Sequence, residues 1–415
     1  MSEAENTTPR VFDPYSIPLD GNFNPADGYV FQADAHWAWF ERLRKESPVH
    51  YTEDSEFGPY WSVTKYNDIM HVDTNHDIFS SEGGITLVDQ DEDFPLPMFI
   101  AMDPPIHDVQ RKTVSPVVAP MNLAKMEGLI RSRVSDILDS LPVGEEFDWV
   151  EKVSIELTTQ MLATLFDFPF EDRRKLTRWS DVATANEESG IVESEDQRRE
   201  ELLECLEYFT KLWQERVGKE GNDLITMLAN GEDTKDMLER PAEYLGNLIL
   251  LIVGGNDTTR NSLTGGVYAL NLFPKEFEKL KADHKLINSM VPEIIRWQTP
   301  LAHMRRRALV DTELNGQKIK AGDKVVMWYV SGNRDDEVIE RPNEFIIDRA
   351  KPRQHLSFGF GIHRCMGNRL GEMQLRIAWE EILKRFSHVE VVGEPERTIH
   401  AFVKGYTRMM VKLHK

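Results

Sequence analysis

Cys365 sits in the run Phe358-Gly359-Phe360-Gly361-Ile362-His363-Arg364-Cys365-Met366-Gly367, whose residue types suit a sulfur that ligates a metal. A cysteine binds metal as the thiolate, and an adjacent arginine with nearby backbone N–H donors favours that ionised form. Glycines at 361 and 367 let the loop pass close beneath a flat ligand and take unusual dihedrals. Phe358 can shield the sulfur from water, and the shell around a metal tunes it. The competing reading is a glycine-rich turn around an inert cysteine. Cys205 lies far away in the chain, which excludes a disulfide framework or clustered zinc site. It reads as a small buried hydrophobe.

A second segment, Leu251-Ile252-Val253-Gly254-Gly255-Asn256-Asp257-Thr258-Thr259, falls in the middle of a long helical pattern. Two adjacent glycines inside a helix each cost about 0.5–1 kcal/mol relative to alanine, so something must compensate. Thr258 can bond back to the carbonyl of Gly254, four residues earlier, bending the helix and opening a pocket. Missing side chains at Gly254 and Gly255 leave room for a ring and a diatomic ligand. Asp257 and Thr258 then form a carboxyl–hydroxyl pair able to relay protons. The alternative is that the glycines end one helix and Asp257 caps the next. Two further pairs have helical spacing: Glu293 with Arg296, and His107 with Arg111 after the helix start Asp103-Pro104-Pro105. Either could be an ordinary surface pair, the latter through Asp108–Arg111.

The elements that position these residues are legible in outline. The longest helix candidate opens at Pro241 and stops before Phe273-Pro274, roughly 45–50 Å of helix. Residues 48–66 alternate as strands do, and residues 121–240 turn helical, with Leu157, Met161 and Leu165 four apart and Leu162 between. Asn315-Gly316 is a two-residue hairpin signal. Strands return around Val389–Val392 and Met409–Leu413. The expected fold is mainly α with small peripheral β-sheets. With no repeat, low-complexity tract or flexible linker, the 415 residues read as a loosely held arm over 1–30 and one domain over 31–415.

Seventy acidic against 49 basic residues leave a net charge of −21, a surface that repels nucleic acid and anionic membranes. The basic triplet Arg305-Arg306-Arg307 is too short for a nucleic-acid stripe and reads as a solvated strand or loop face. No apolar run approaches a membrane span, and the first residues lack signal architecture, so the expected location is the cytoplasm.

The cysteine run matches the Phe-x-x-Gly-x-x-x-Cys-x-Gly signature of the cytochrome P450 family at every fixed position, and the chain resembles that family in other motifs taken in order. Glu293–Arg296 matches its structural Glu-x-x-Arg. Residues Gly254–Thr258 resemble its oxygen-activation groove. His107 and Arg111 match Asp-Pro-Pro-x-His-x-x-x-Arg, which with Arg306 and His363 implies contacts to the two haem propionates; His355 is left unassigned. One departure is Pro342-Asn343-Glu344-Phe345, where the family has an arginine at the position of Glu344; Arg349 is the candidate replacement. A narrower similarity, to the bacterial alkane terminal-hydroxylase branch, rests on Met98–Pro105, Leu250–Asn261, Glu293–Arg306, Val330–Asp335 and Met366–Leu370. It spans roughly residue 35 to the C-terminus, with Gly371 standing where alanine is expected.

The resemblance implies haem b held by Cys365, with a thiolate that promotes O–O cleavage, and O2 as co-substrate. It implies hydroxylation of unactivated C–H bonds, at the terminal carbon of medium-chain alkanes or fatty acids. Because secondary C–H bonds are weaker, terminal selectivity requires a narrow apolar funnel. Its candidate walls are Ile85, Leu87, Met98, Phe99, Ile100, Leu250, Val253, Leu301, Ala302 and Phe402, each of which could equally be core. No flavin or nicotinamide fingerprint and no iron–sulfur cysteine set is present. Electrons are therefore expected from a ferredoxin and its NADH-dependent reductase, docking on Lys112, Arg364, Arg369 and Arg376. Competing readings are a haem-thiolate enzyme with other small apolar substrates, a peroxide-driven enzyme, which would not need Asp257–Thr258, and a haem sensor or carrier without turnover.

Overall fold

The central element is the helix Pro241–Leu272, with proline at its first position where the missing N–H costs nothing. It runs unbroken through Gly254-Gly255, so the reading of two helices with a cap between them does not hold. Helices normally bury one stripe; this one is buried on most of its circumference. It packs against the helices Glu156–Phe166, Arg174–Thr184, Ile287–Gln298 and Asn368–Arg385. Leu248, Ile252 and Leu263 are fully enclosed there, each contributing about 1.5–3 kcal/mol relative to exposure.

The computed structural model describes residues 10–185 and 189–415. Its largest sheet has five strands in the order Val49–Thr52, Tyr60–Val63, Lys324–Met327, Met304–Ala308 and Phe79–Ser80. Tyr60–Val63 and Lys324–Met327 run parallel, and the other pairs are antiparallel. A three-stranded sheet joins Glu146–Asp148, Met410–His414 and His388–Val391. The predicted hairpin pairs Thr312–Leu314 with Gln317–Ile319. Asn315 and Gly316 have φ of 50° and 78°, the two positive values that a type I′ turn requires.

Two expectations change. Of the arm over residues 1–30, residues 1–9 lie outside the described residues, and much of the rest is docked. Phe23 and Ala26 are buried, the Phe12 carbonyl accepts from Trp39 Nε1 at 3.1 Å, and the Phe23 carbonyl accepts from Thr52 Oγ1 at 2.9 Å. Within the arginine triplet, Arg305 and Arg306 are buried and only Arg307 is exposed. Strand alternation sends Arg306 to one face and Arg305 and Arg307 to the other; both faces are covered at Arg305 and Arg306, and the cover ends before Arg307. No helix among the described residues is long and apolar enough to cross a membrane.

Candidate active site

The cysteine loop precedes the helix Asn368–Arg385, and Cys365 N–H donates to the Phe358 carbonyl at 2.8 Å, closing the loop on itself. Gly359 and Gly361 have φ of 61° and 66°. A Cβ at Gly361 would fall 2.5 Å from the Asp73 carbonyl oxygen, so the loop and the helix Tyr66–Thr74 approach at backbone distance. The dihedral role expected at Gly367 belongs instead to Gly359. Gly367 has an ordinary φ of −86°, and its missing Cβ, which would lie 4.0 Å from Cys365 Sγ, keeps the flank of the sulfur open.

Cys365 opens onto a cavity of about 410 Å3. Burial pushes its thiol pKa up, while the N–H groups of Gly367 and Asn368 and the charges of Arg111 and Arg364 pull it down. Those groups are the ones that would stabilise a thiolate. Cys205 is sealed in the core and held protonated by burial, which fits its reading as an inert hydrophobe.

Around the same end of the cavity stand Arg111, Arg306 and His363. Arg111 Nη2 donates to the Arg364 carbonyl. Arg306 Nη2 donates to Asp73 Oδ1 at 2.8 Å, and Asp73 also accepts from Tyr329 Oη at 2.9 Å and Phe360 N at 2.7 Å. His107 stands behind His363 with ring centroids 4.3 Å apart, its Nδ1 2.7 Å from Asp108 Oδ1. His107 Nε2 and both ring nitrogens of His363 are buried without a hydrogen-bond partner. Burial lowers the pKa of both imidazoles. Buried polar groups are rarely left unpaired, and two arginines beside orphaned imidazoles suit an acidic ligand that supplies the missing partners.

The Glu293–Arg296 pair is fully enclosed. Arg296 Nε and Nη2 donate to Glu293 at 2.7 and 2.8 Å. Arg349 Nε donates to both carboxylate oxygens at 2.9 Å, so Arg349 completes the network. Glu344 contributes only its carbonyl, which accepts from Arg296 Nη2 and Arg349 Nη2.

On the central helix, Thr258 Oγ1 donates to the Gly254 carbonyl at 2.8 Å and Thr258 lines the cavity. A Cβ at Gly254 would meet open space, whereas one at Gly255 would lie 2.6 Å from Leu162 Cδ2. Only Gly254 leaves room for a ligand; Gly255 lets the helix Glu156–Phe166 come close. Asp257 is turned away from the cavity. Its Oδ1 accepts from Arg260 Nη2 at 2.5 Å and its Oδ2 from Ser180 Oγ at 3.2 Å, and Arg260 Nη1 also donates to Asp181 at 3.1 Å. Burial raises the Asp257 carboxyl to about 6 against the opposing pull of Arg260 and Ser180.

Ile85, Met98, Phe99, Ile100, Leu250, Val253, Leu301 and Phe402 line the cavity. Leu87 and Ala302 do not. They pack into a separate cluster with Phe31, Trp328 and Ala401. The bent segment around residue 86 turns Ile85, Thr86 and Val88 to the cavity and Leu87 away from it, and Leu301 faces the cavity where Ala302 does not. Met161, Leu162, Leu165, Ile249 and Leu251 are further wall residues. The four-residue spacing of Met161 and Leu165 marked a buried helix face, but nothing in it said what the face touches.

A profile of the family described as Cytochrome P450 matches residues 119–413. The chain is a cytochrome P450. Linalool 8-monooxygenase of Pseudomonas putida is 33% identical over 385 residues, covering 90% of this chain and 94% of that protein. The methyl-branched lipid omega-hydroxylase of Mycobacterium tuberculosis (strain ATCC 25618 / H37Rv) is 30% identical, covering 96% of each. Among solved structures, CYP153D17 from Sphingomonas sp. PAMC 26605 superposes with a TM-score of 0.90 at 49% identity, over 95% of this chain and 99% of that one. Cytochrome P450-153 from Novosphingobium aromaticivorans gives 0.89 at 47% identity, over 95% and 100%. This P450 is therefore a monooxygenase of the mainly helical P450 fold, and membership implies a haem iron and the use of O2. The inward sulfur, the open space over Gly254 and the orphaned imidazoles beside Arg111 and Arg306 fit that group.

Proposed function

We propose that this P450 hydroxylates the terminal carbon of medium-chain linear compounds, alkanes or fatty acids, with electrons from a ferredoxin. The observation that carries this is the cavity, whose surface is overwhelmingly aliphatic and aromatic from Ile85 and Leu96 down to Val253 beside Thr258. Such walls bind by burying apolar surface, at about 25 cal/mol per Å2. Polar side chains such as Thr86, Gln90 and Thr184 are a minority of the lining, so position along the chain is set mainly by shape. The mycobacterial relative is named for hydroxylation at the omega position. That name and the resemblance to the alkane-hydroxylase branch support attack at a chain end.

When bound, the haem would supply reductive activation of O2 and insertion of one oxygen atom into a C–H bond, with Cys365 as its sulfur ligand. Arg111, Arg306 and His363 would hold its acidic side chains, with His107 supporting His363. The chain's remaining work is with protons and water. Thr258 presents a hydroxyl at the open face of the helix and can pass a proton from its Oγ1 once it releases the Gly254 carbonyl. Asp257 can reload that hydroxyl only by turning from Arg260 and Ser180, and a carboxyl near 6 exchanges protons readily around neutral pH. Apolar walls exclude competing water.

For the ferredoxin, Lys112, Arg364 and Arg369 are exposed, and the two arginines border a surface depression behind Phe358. Arg376 is committed to Glu127 and Glu380 and drops out of the docking set. The test is reconstitution with ferredoxin, reductase and NADH on a series of linear alkanes and fatty acids, with products resolved by position. Terminal alcohols are the expected products. Exclusively subterminal products, or no turnover of any linear chain, would overturn the proposal.

A further inference from the structure

Resting on the terminal-hydroxylation reading, we propose that His303 is a positioning residue for where the chain is attacked. From behind the cavity wall its imidazole joins the strap that carries Ile85 to the C-terminal loop that carries Phe402, and so fixes the spacing of those walls. His303 lies between Leu301 and Met304, which line the cavity with Ile85, Thr86, Val88 and Phe402. It is itself only 1% exposed. Its ring packs against Trp328 and Phe402, with centroids 4.8 and 5.2 Å away.

Both ring nitrogens are used. Leu87 N–H donates to Nε2 at 3.2 Å, and Nδ1 lies 3.0 Å from the Ala401 carbonyl oxygen. A backbone N–H can only donate and a carbonyl can only accept. The imidazole therefore carries its proton on Nδ1 and keeps a lone pair on Nε2, and this one tautomer serves both partners. Burial holds its pKa down to about 3, against the pull of the Ala401 carbonyl, so the neutral ring persists at neutral pH. A protonated ring would set N–H against N–H at Leu87.

Each partner is adjacent to a wall residue: Leu87 lies between Thr86 and Val88, and Ala401 directly precedes Phe402. Backbone bonds tie the strap and the loop separately to this segment, from Arg305 N to the Ile85 carbonyl and from Ala302 N to the Phe402 carbonyl, both at 2.8 Å. His303 couples the two through a rigid ring whose nitrogens cannot separate. Without it, the buried Leu87 N–H and Ala401 carbonyl would lack this partner, and the chain would shift to find another. Terminal attack depends on such a restraint. A substrate displaced by one carbon presents a weaker, secondary C–H bond, and misplacement by about 1 Å can change a rate about 10²-fold.

The experiment compares haem-loaded His303→Phe, His303→Asn and His303→Gln with wild type. It measures the ratio of terminal to subterminal alcohols from one linear alkane under the same ferredoxin and NADH supply. Phenylalanine keeps the ring packing and loses both bonds. Asparagine is too short to reach Leu87, whereas glutamine keeps a donor and an acceptor at similar reach. The ratio should fall about tenfold in His303→Phe and His303→Asn and stay within about twofold of wild type in His303→Gln. The carbon monoxide complex shows whether each variant holds its haem; where His303→Phe does not, the contrast between asparagine and glutamine decides. An unchanged ratio in His303→Phe and His303→Asn, whatever the fall in overall rate, would overturn the inference. So would a shift in His303→Gln as large as that in His303→Asn. Either result leaves the terminal reading standing, whereas wild-type protein that makes no terminal alcohol would overturn that reading and the inference with it.

Discussion

Replacing Glu293 by glutamine keeps its shape and removes one negative charge from a site shared with two guanidinium groups. Glu293 and Arg296 are 0% and 1% exposed, so water cannot compensate. The carboxylate accepts four N–H contacts from Arg296 and Arg349, between 2.7 and 2.9 Å, and a fifth from Ile346 N at 2.8 Å. A glutamine amide would turn two donors toward guanidinium groups that are themselves all donors. Breaking a buried pair from one side costs about 3–5 kcal/mol, a large part of the roughly 5–15 kcal/mol that holds a typical fold. The damage should reach the cysteine loop. Arg296 Nη1 holds the carbonyls of Asn333 and Pro342, and Asn333 in turn bonds Ser357 and Leu356 N, just before Phe358. Urea titration of the haem-loaded Glu293→Gln variant should show a loss of that size, with haem released before or together with global unfolding. A loss under about 1 kcal/mol with full haem retention would refute the assignment of the network as a support of the site.

Cys365→Ser should abolish the red-shifted carbon monoxide complex of the reduced protein, while Cys205→Ser should keep it, read by difference spectroscopy. Thr258→Ala should divert NADH into hydrogen peroxide, with product formation falling about 10²–10⁴-fold and substrate binding unchanged. The folded-state pKa of Asp257, about 6, lies above its ordinary value of 3.8. Its contribution to stability is therefore fully present below 3.8 and lost as pH rises through about 6; Asp257→Asn should flatten that part of the stability–pH curve measured by thermal melts. Gly371→Ala should stabilise by about 1 kcal/mol, because an added Cβ there meets only Thr259 Oγ1 at 3.8 Å; a lower melting temperature would contradict this.

Local chemistry and periodicity were enough to place the sulfur, the long helix and its proline start, the Asn315-Gly316 hairpin and the Glu293–Arg296 pair. Each depends on residues close together in the chain, where turn dihedrals and helical spacing act directly. Long-range partners were decided only by folding. Arg349 could be named as a candidate, but 56 positions separate it from Glu293, and no local rule joins them. Asp257 read as a partner for Thr258 because the two are adjacent; yet consecutive helix positions point about 100° apart, and the helix Arg174–Thr184 brought Ser180 and Asp181 to the acid's side. The face of each wall residue followed the same logic. Leu87 and Ala302 are as apolar as Ile85 and Leu301, and only the tertiary path of the backbone, running between the cavity and the cluster around Phe31 and Trp328, determines which of them meets the cavity.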